Sequence, residues 1–93
     1  MNHEFPFDKK REHQASFDVA TLAIKRAEQA GRALDDVFIE EAAAEVHAAW
    51  EERNAWRAEK RDLVVYHELP ESEKVKDRTF VREALTQRQL IQL

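Results

Sequence analysis

His47, Trp50, Trp56, Tyr66, Lys74, Asp77 and Arg78 are the residues whose types and spacing best suit recognition chemistry. Two tryptophans fall near the end of one helical stretch, a tyrosine follows, and a charged stretch then carries Lys74 and Arg78. Cations beside aromatic faces can pair an anion and stack a planar group. Trp50, Trp56, Tyr66, Lys74 and Arg78 are therefore a candidate site for a planar or phosphorylated small molecule. The same aromatics serve equally as core between two helices, with Asp77 and Arg78 pairing at its polar edge. Glu73, Lys74, Asp77 and Arg78 also stand at spacings that support local helical ion pairs.

Other chemistry has less to work with. His47 and Glu51 lie one helical turn apart, a spacing that can chelate zinc, but only two ligands are supplied locally. His3, His13 and His67 stand in unrelated contexts, so no metal is expected. The serines, Ser16 and Ser72, fall where helices are expected to start. Thr21, Thr79 and Thr86 lack an adjacent base with an orienting acid. There is no cysteine, which excludes thiol catalysis, disulfides and Cys-based zinc sites. One glycine excludes the Gly-rich phosphate loops, which need several. A non-enzymatic protein without a cofactor is expected.

The formal charge of −4 is concentrated in one segment. Residues 35–59 hold eight acids against Arg53 and Arg57, while the flanking stretches are each close to neutral. Such a face repels nucleic-acid phosphates, so direct nucleic-acid binding is not expected. It suits either plain solvation or a basic protein partner, which Glu40, Glu41 and Glu45 would meet. No apolar run approaches the roughly 18 residues of a membrane span. The opening residues lack a secretory pattern, and the cytoplasm is the expected compartment.

The elements that must carry these residues are helical. Residues 1–15 have mixed charge and no sustained period, and read as a flexible arm onto which Phe5 and Phe7 can dock. Residues 16–93 read as one helical domain. Ser16 suits an N-cap, and Phe17, Ala20, Ile24 and Ala27 make one stripe that Val19, Leu22, Ala23 and Ala30 widen. Gly31 follows at a helix C′ position, and the short connection to Leu34 favours an antiparallel neighbour. Asp35 and Asp36 cap a second helix, in which Ile39, Ala42, Val46, Ala49, Arg53 and Trp56 recur at three-and-four spacing. That helix is expected to fray from Asn54 to Glu59, and residues 57–62 read as a polar loop. Leu63 to Tyr66 is β-prone and predicts an extended segment or short strand. Pro70 fits the first position of a third helix whose apolar positions are Val75, Phe80, Val81, Ala84 and Leu85. Leu90, Ile91 and Leu93 extend that helix or pack as a tail. The fold class is mainly α: a compact three-helix domain with a short extended segment before the last helix.

At the residues of the candidate site the chain resembles the RyR domain, the repeat of ryanodine receptors also found in small bacterial and phage proteins. The resemblance runs from about Leu34 to Leu85. Its first half is His47-x-x-Trp50 followed by Trp56. Its second is Tyr66-His67-Glu68-Leu69-Pro70-Glu71-Ser72-Glu73-Lys74 with Asp77-Arg78. Ala55 and Val65 stand where the family usually has glycine and proline. The resemblance implies a mainly helical fold, no catalysis, and repeats that pair about a pseudo-two-fold axis, so that a single repeat is expected to form a homodimer or meet a protein partner. It also implies a regulatory or binding role, with a nucleotide-derived small molecule as the ligand suggested at family level. The alternative is a small acidic helical protein, such as a phage-type inhibitor or nucleic-acid mimic, that acts by binding a protein.

Overall fold

Local signals account for three of the helix ends. In the computed structural model, which describes residues 9–56 and 63–92, three helices form: α1 (Lys9–Gln29), α2 (Asp36–Asn54) and α3 (Glu71–Gln92). Gly31, at φ +68°, closes α1 in the left-handed conformation that glycine adopts without a Cβ clash. The Arg32 N–H donates to the Ala27 carbonyl at 2.8 Å and the Gly31 N–H to the Glu28 carbonyl at 3.0 Å, the paired bonds of a Schellman stop. Asp35 opens α2, its carboxylate accepting from the Phe38 N–H at 3.0 Å. Pro70 precedes α3, and its carbonyl accepts from the Lys74 N–H.

The helices pack around one apolar cluster. α1 contributes Ala20, Ala23, Ile24 and Ala27; α2 contributes Phe38, Ile39, Ala42, Ala43 and Val46; α3 contributes Val81 and Ala84. Alanines on both α1 and α2 leave little bulk, so the two helices can approach closely. Cross-helix contacts give the directions. Arg26 pairs with Glu45 and Arg53 with Glu12, which sets α2 antiparallel to α1. His13 against Phe80 and Glu28 against Arg88 set α3 parallel to α1.

Several expectations need correction. α1 starts at Lys9, so residues 9–15 are helical and not part of an arm; residues 1–8, with Phe5 and Phe7, lie outside the described residues. Ser16 is not a cap but a buried mid-helix residue whose hydroxyl accepts from Arg53 Nη2 at 3.1 Å. The reason is tertiary. Glu12 accepts from Arg53 and from Asn54 Nδ2, which gives the first turns of α1 partners on the last turn of α2. α2 ends at Asn54, followed by a turn at Ala55 and Trp56, and the loop 57–62 lies outside the described residues. No strand forms among the described residues. Val65 keeps an extended backbone, but Tyr66–Glu68 is a single 3₁₀ turn, because no neighbouring strand is present there to satisfy a ladder. Leu22 and Val75, expected in the apolar stripes, are exposed.

Candidate functional site

The two motif stretches meet where the 3₁₀ turn and the first half of α3 pack on α2. Tyr66 is inserted with its ring buried, and its hydroxyl donates to Glu40 Oε1 at 3.0 Å. The second oxygen of Glu40 accepts from Arg78 Nε. Arg78 turns its other face to Glu71, one oxygen accepting from Nη1 and the other from Nη2 at 3.4 Å. The Lys74 ammonium sits 5.5 Å from the centroid of the Tyr66 ring. One arginine thus bridges two carboxylates, one from α2 and one from the N-terminal turn of α3.

The electrostatics follow from that arrangement. Arg78 holds the Glu40 carboxyl below its ordinary range, and it does the same to Glu71. Glu71 and then Glu40 raise the Arg78 guanidinium in return. Burial, aided by the Glu40 carboxylate, pushes the Tyr66 phenol up to about 12. The two carboxylates differ in exposure: Glu71 is 69% exposed at its side chain and Glu40 42%, against 19% for Arg78. The Arg78–Glu71 pair is therefore the more solvent-accessible half of the bridge.

A second cluster lies further along α2. His47 is buried, with Nε2 at 2.7 Å from the Val64 carbonyl and Nδ1 at 3.6 Å from Asp77 Oδ2. Trp50 stacks on its ring at 5.9 Å between centroids and 13° between planes. Glu51 is 3.8 Å from Nε2. A zinc ion needs its ligands to converge at about 2.0–2.2 Å. Here the carboxylates sit on opposite ring nitrogens, and Nε2 already faces a backbone carbonyl. Among the described residues, no group of three or more ligating side chains could hold a metal ion.

The structure therefore unites part of the predicted site and separates the rest. Tyr66, Lys74 and Arg78 come together. Trp50 joins the neighbouring His47 cluster. Trp56 is exposed beyond the end of α2, where its indole N–H donates to the Arg53 carbonyl at 2.9 Å. About 20 Å of helix separates Glu40 from Asn54, too far for Trp56 and Tyr66 to grip one small molecule. The proposed acidic surface is also partly used internally. Glu41 pairs with Arg32 at 2.6 Å, Glu45 with Arg26, and Glu40 with Arg78. Sequence reasoning missed Glu40 and Glu71 as members of the Arg78 cluster. For Glu71 the signal was present, since residues seven apart on a helix share a face. For Glu40 the signal was absent, because its partners are 26 and 38 residues away.

An open groove of about 790 Å³ lies elsewhere, between α1 and α3, lined by His13, Phe17, Arg82, Glu83 and Thr86 among others. It includes none of the motif residues. No helix among the described residues is long and apolar enough to cross a membrane. Compared with protein families, with characterised proteins and with solved structures, the chain matches none.

Proposed function

We propose that this chain is a non-enzymatic, RyR-like binding module that recognises an anionic group on its α2–α3 face. Arg78 is the recognition residue and Lys74 its companion. The ligand's anionic group takes the place of the Glu71 carboxylate on Arg78, while Glu40 and Tyr66 hold the guanidinium in orientation from below. A nucleotide-derived small molecule is the ligand class that fits a guanidinium fork with a second cation nearby. An acidic patch on a protein partner, including a second copy, presents the same chemistry.

The observation that carries this reading is the asymmetry of the Arg78 bridge. Its inner carboxylate is tied down by a second hydrogen bond from Tyr66, and its outer carboxylate is mostly in water. Exchange of an exposed counter-ion costs little, because exposed ion pairs contribute about 0–1 kcal/mol. The convergence of Tyr66, Lys74, Asp77 and Arg78 with His47 and Glu40 supports it further, since the two halves of the sequence motif are far apart in the chain. The alternative, an acidic protein that captures a basic partner, draws less support: Glu40, Glu41 and Glu45 each already meet an arginine of this chain.

The test is an NMR titration of the full chain with ATP, ADP and ADP-ribose, followed by tryptophan fluorescence. Shifts centred on Lys74, Arg78 and Glu71, lost in Arg78→Gln, are expected. A wild-type spectrum unmoved by the whole panel defeats the small-molecule form of the proposal. Light scattering with and without the probe then decides whether a second copy is the partner.

A further inference from the structure

His47 is held from three directions, and its two nitrogens have incompatible neighbours unless a proton is added. Nε2 lies 2.7 Å from the Val64 carbonyl oxygen, which is a hydrogen bond only if Nε2 carries the N–H. A neutral imidazole protonated there has a bare lone pair at Nδ1. That nitrogen faces Asp77 Oδ2 at 3.6 Å, with the two side chains only 8% and 13% exposed. A lone pair opposite an ionised carboxylate, in a site largely removed from water, is repulsive. One further proton removes the conflict on either group. It gives imidazolium with carboxylate, or neutral imidazole facing a carboxylic acid.

We infer that His47 and Asp77 share one additional proton on their Nδ1–carboxylate side, and that losing it weakens the Nε2–H bond that fastens the Val64 carbonyl to α2 and so loosens the Leu63–Tyr66 segment. The surroundings act in the same sense. From α2, Glu51 stands 3.8 Å from Nε2 and favours positive charge on the ring. From α3, Glu73 favours the protonated pair and Lys76 opposes it. From the Leu63–Tyr66 segment the facing group is the Val64 carbonyl, and α1 contributes no ion pair to either group among the described residues. Trp50, stacked on the imidazole, resists rotation of the ring away from the carbonyl.

Burial pushes the Asp77 carboxyl up to about 6, against the opposing pull of His47. A carboxyl raised on folding holds a proton that the unfolded chain releases. Its stabilising effect is full below the ordinary carboxylate range and is lost as pH rises through 6. A proton shared between two groups belongs to the pair, so the reporter must read the pair and the carbonyl together. The latch also lies two residues before Tyr66, whose hydroxyl bonds Glu40. The proton state of one cluster therefore bears on the geometry of the other. This inference uses the His47 cluster alone and stands whether or not Arg78 binds a ligand.

The experiment is two-bond ¹H–¹⁵N correlation of the His47 ring in the full chain between pH 5 and 9, with the Val64 ¹³C′ shift followed in parallel. Nε2 should stay protonated throughout, and the Val64 carbonyl should move in one sigmoid with the same midpoint as the ring. In Asp77→Asn the side-chain amide can donate to Nδ1 at every pH, and the Val64 shift should flatten. A bare Nε2 at neutral pH overturns the inference. So does a Val64 carbonyl that stays flat while the ring titrates, or a pH response that survives Asp77→Asn. Should that variant not fold, the wild-type titration alone decides.

Discussion

Tyr66→Phe tests the inner half of the Arg78 bridge, because it deletes one oxygen and leaves the ring in place. At neutral pH the lost bond is a phenol donating to a carboxylate at 3.0 Å. Hydrogen bonds to charged groups contribute about 1.5–3 kcal/mol, but Glu40 is 42% exposed and keeps Arg78, so we expect a loss just below that range, about 1 kcal/mol. For a domain of this size that is a fall in Tm of about 4–8 °C. Alkaline pH reverses the order. The Tyr66 phenol is pushed up from 10 to about 12 by burial and by Glu40. A phenol raised on folding contributes stability that is full below the unfolded value of about 10 and is lost as pH climbs through about 12. That shift is worth up to about 3 kcal/mol, so the wild type gives up its advantage and falls below Tyr66→Phe from about pH 11 upward. Urea denaturation of both proteins at pH 7, 10 and 11.5 reads the difference, and lysine titrations common to the two cancel. A difference that is constant with pH refutes the reasoning. So does a variant as stable as wild type at pH 7.

Two other substitutions probe the frame that holds the site. Glu12→Ala removes the acceptor shared by Arg53 and the buried Asn54, and should cost about 2 kcal/mol in chemical denaturation, with the first two turns of α1 losing hydrogen-exchange protection first. Gly31→Ala meets no atom within 4 Å of the new Cβ, so its cost is conformational alone: about 1 kcal/mol from the left-handed backbone, with no change of structure elsewhere.

What was legible in the sequence was what is decided locally. The Gly31 stop needs only one residue without a Cβ, and the Asp35 cap needs only the backbone three residues on. The Ala20–Ile24–Ala27 and Ile39–Ala42–Val46 stripes follow from helical period. What was hidden depends on residues distant in the chain. Ser16 looks like a cap by type, but α1 extends to Lys9 because Glu12 finds Arg53 and Asn54 some 41 and 42 residues later. Leu63–Tyr66 has strand propensity with no strand beside it among the described residues, and becomes an extended turn into a 3₁₀ helix. Trp56 has the character of a core residue, yet the chain has already left α2 when it arrives. Glu40 reads as one of a run of outward acids, and only the fold shows that it faces Tyr66 and Arg78 while Glu45 turns toward α1 and Glu41 toward Arg32 in the connection after it. In the candidate site, the motif residues Tyr66, Lys74 and Arg78 were found by type and order. The carboxylates that orient Arg78 were not, because pairing across helices leaves no local pattern.

The central claim is that Glu71 occupies the place of an external anion on Arg78. Glu71→Gln keeps the shape of the outer carboxylate and removes its charge, and at 69% exposure it should leave the fold intact. The direct measurement is the affinity of this variant for ADP beside wild type and Arg78→Gln, read by NMR titration at low salt. We expect Glu71→Gln to bind severalfold more tightly than wild type, because an exposed competing ion pair is weak but is lost entirely, and Arg78→Gln to show no saturable response. Unchanged or weaker binding in Glu71→Gln, or binding that survives Arg78→Gln, would contradict the account.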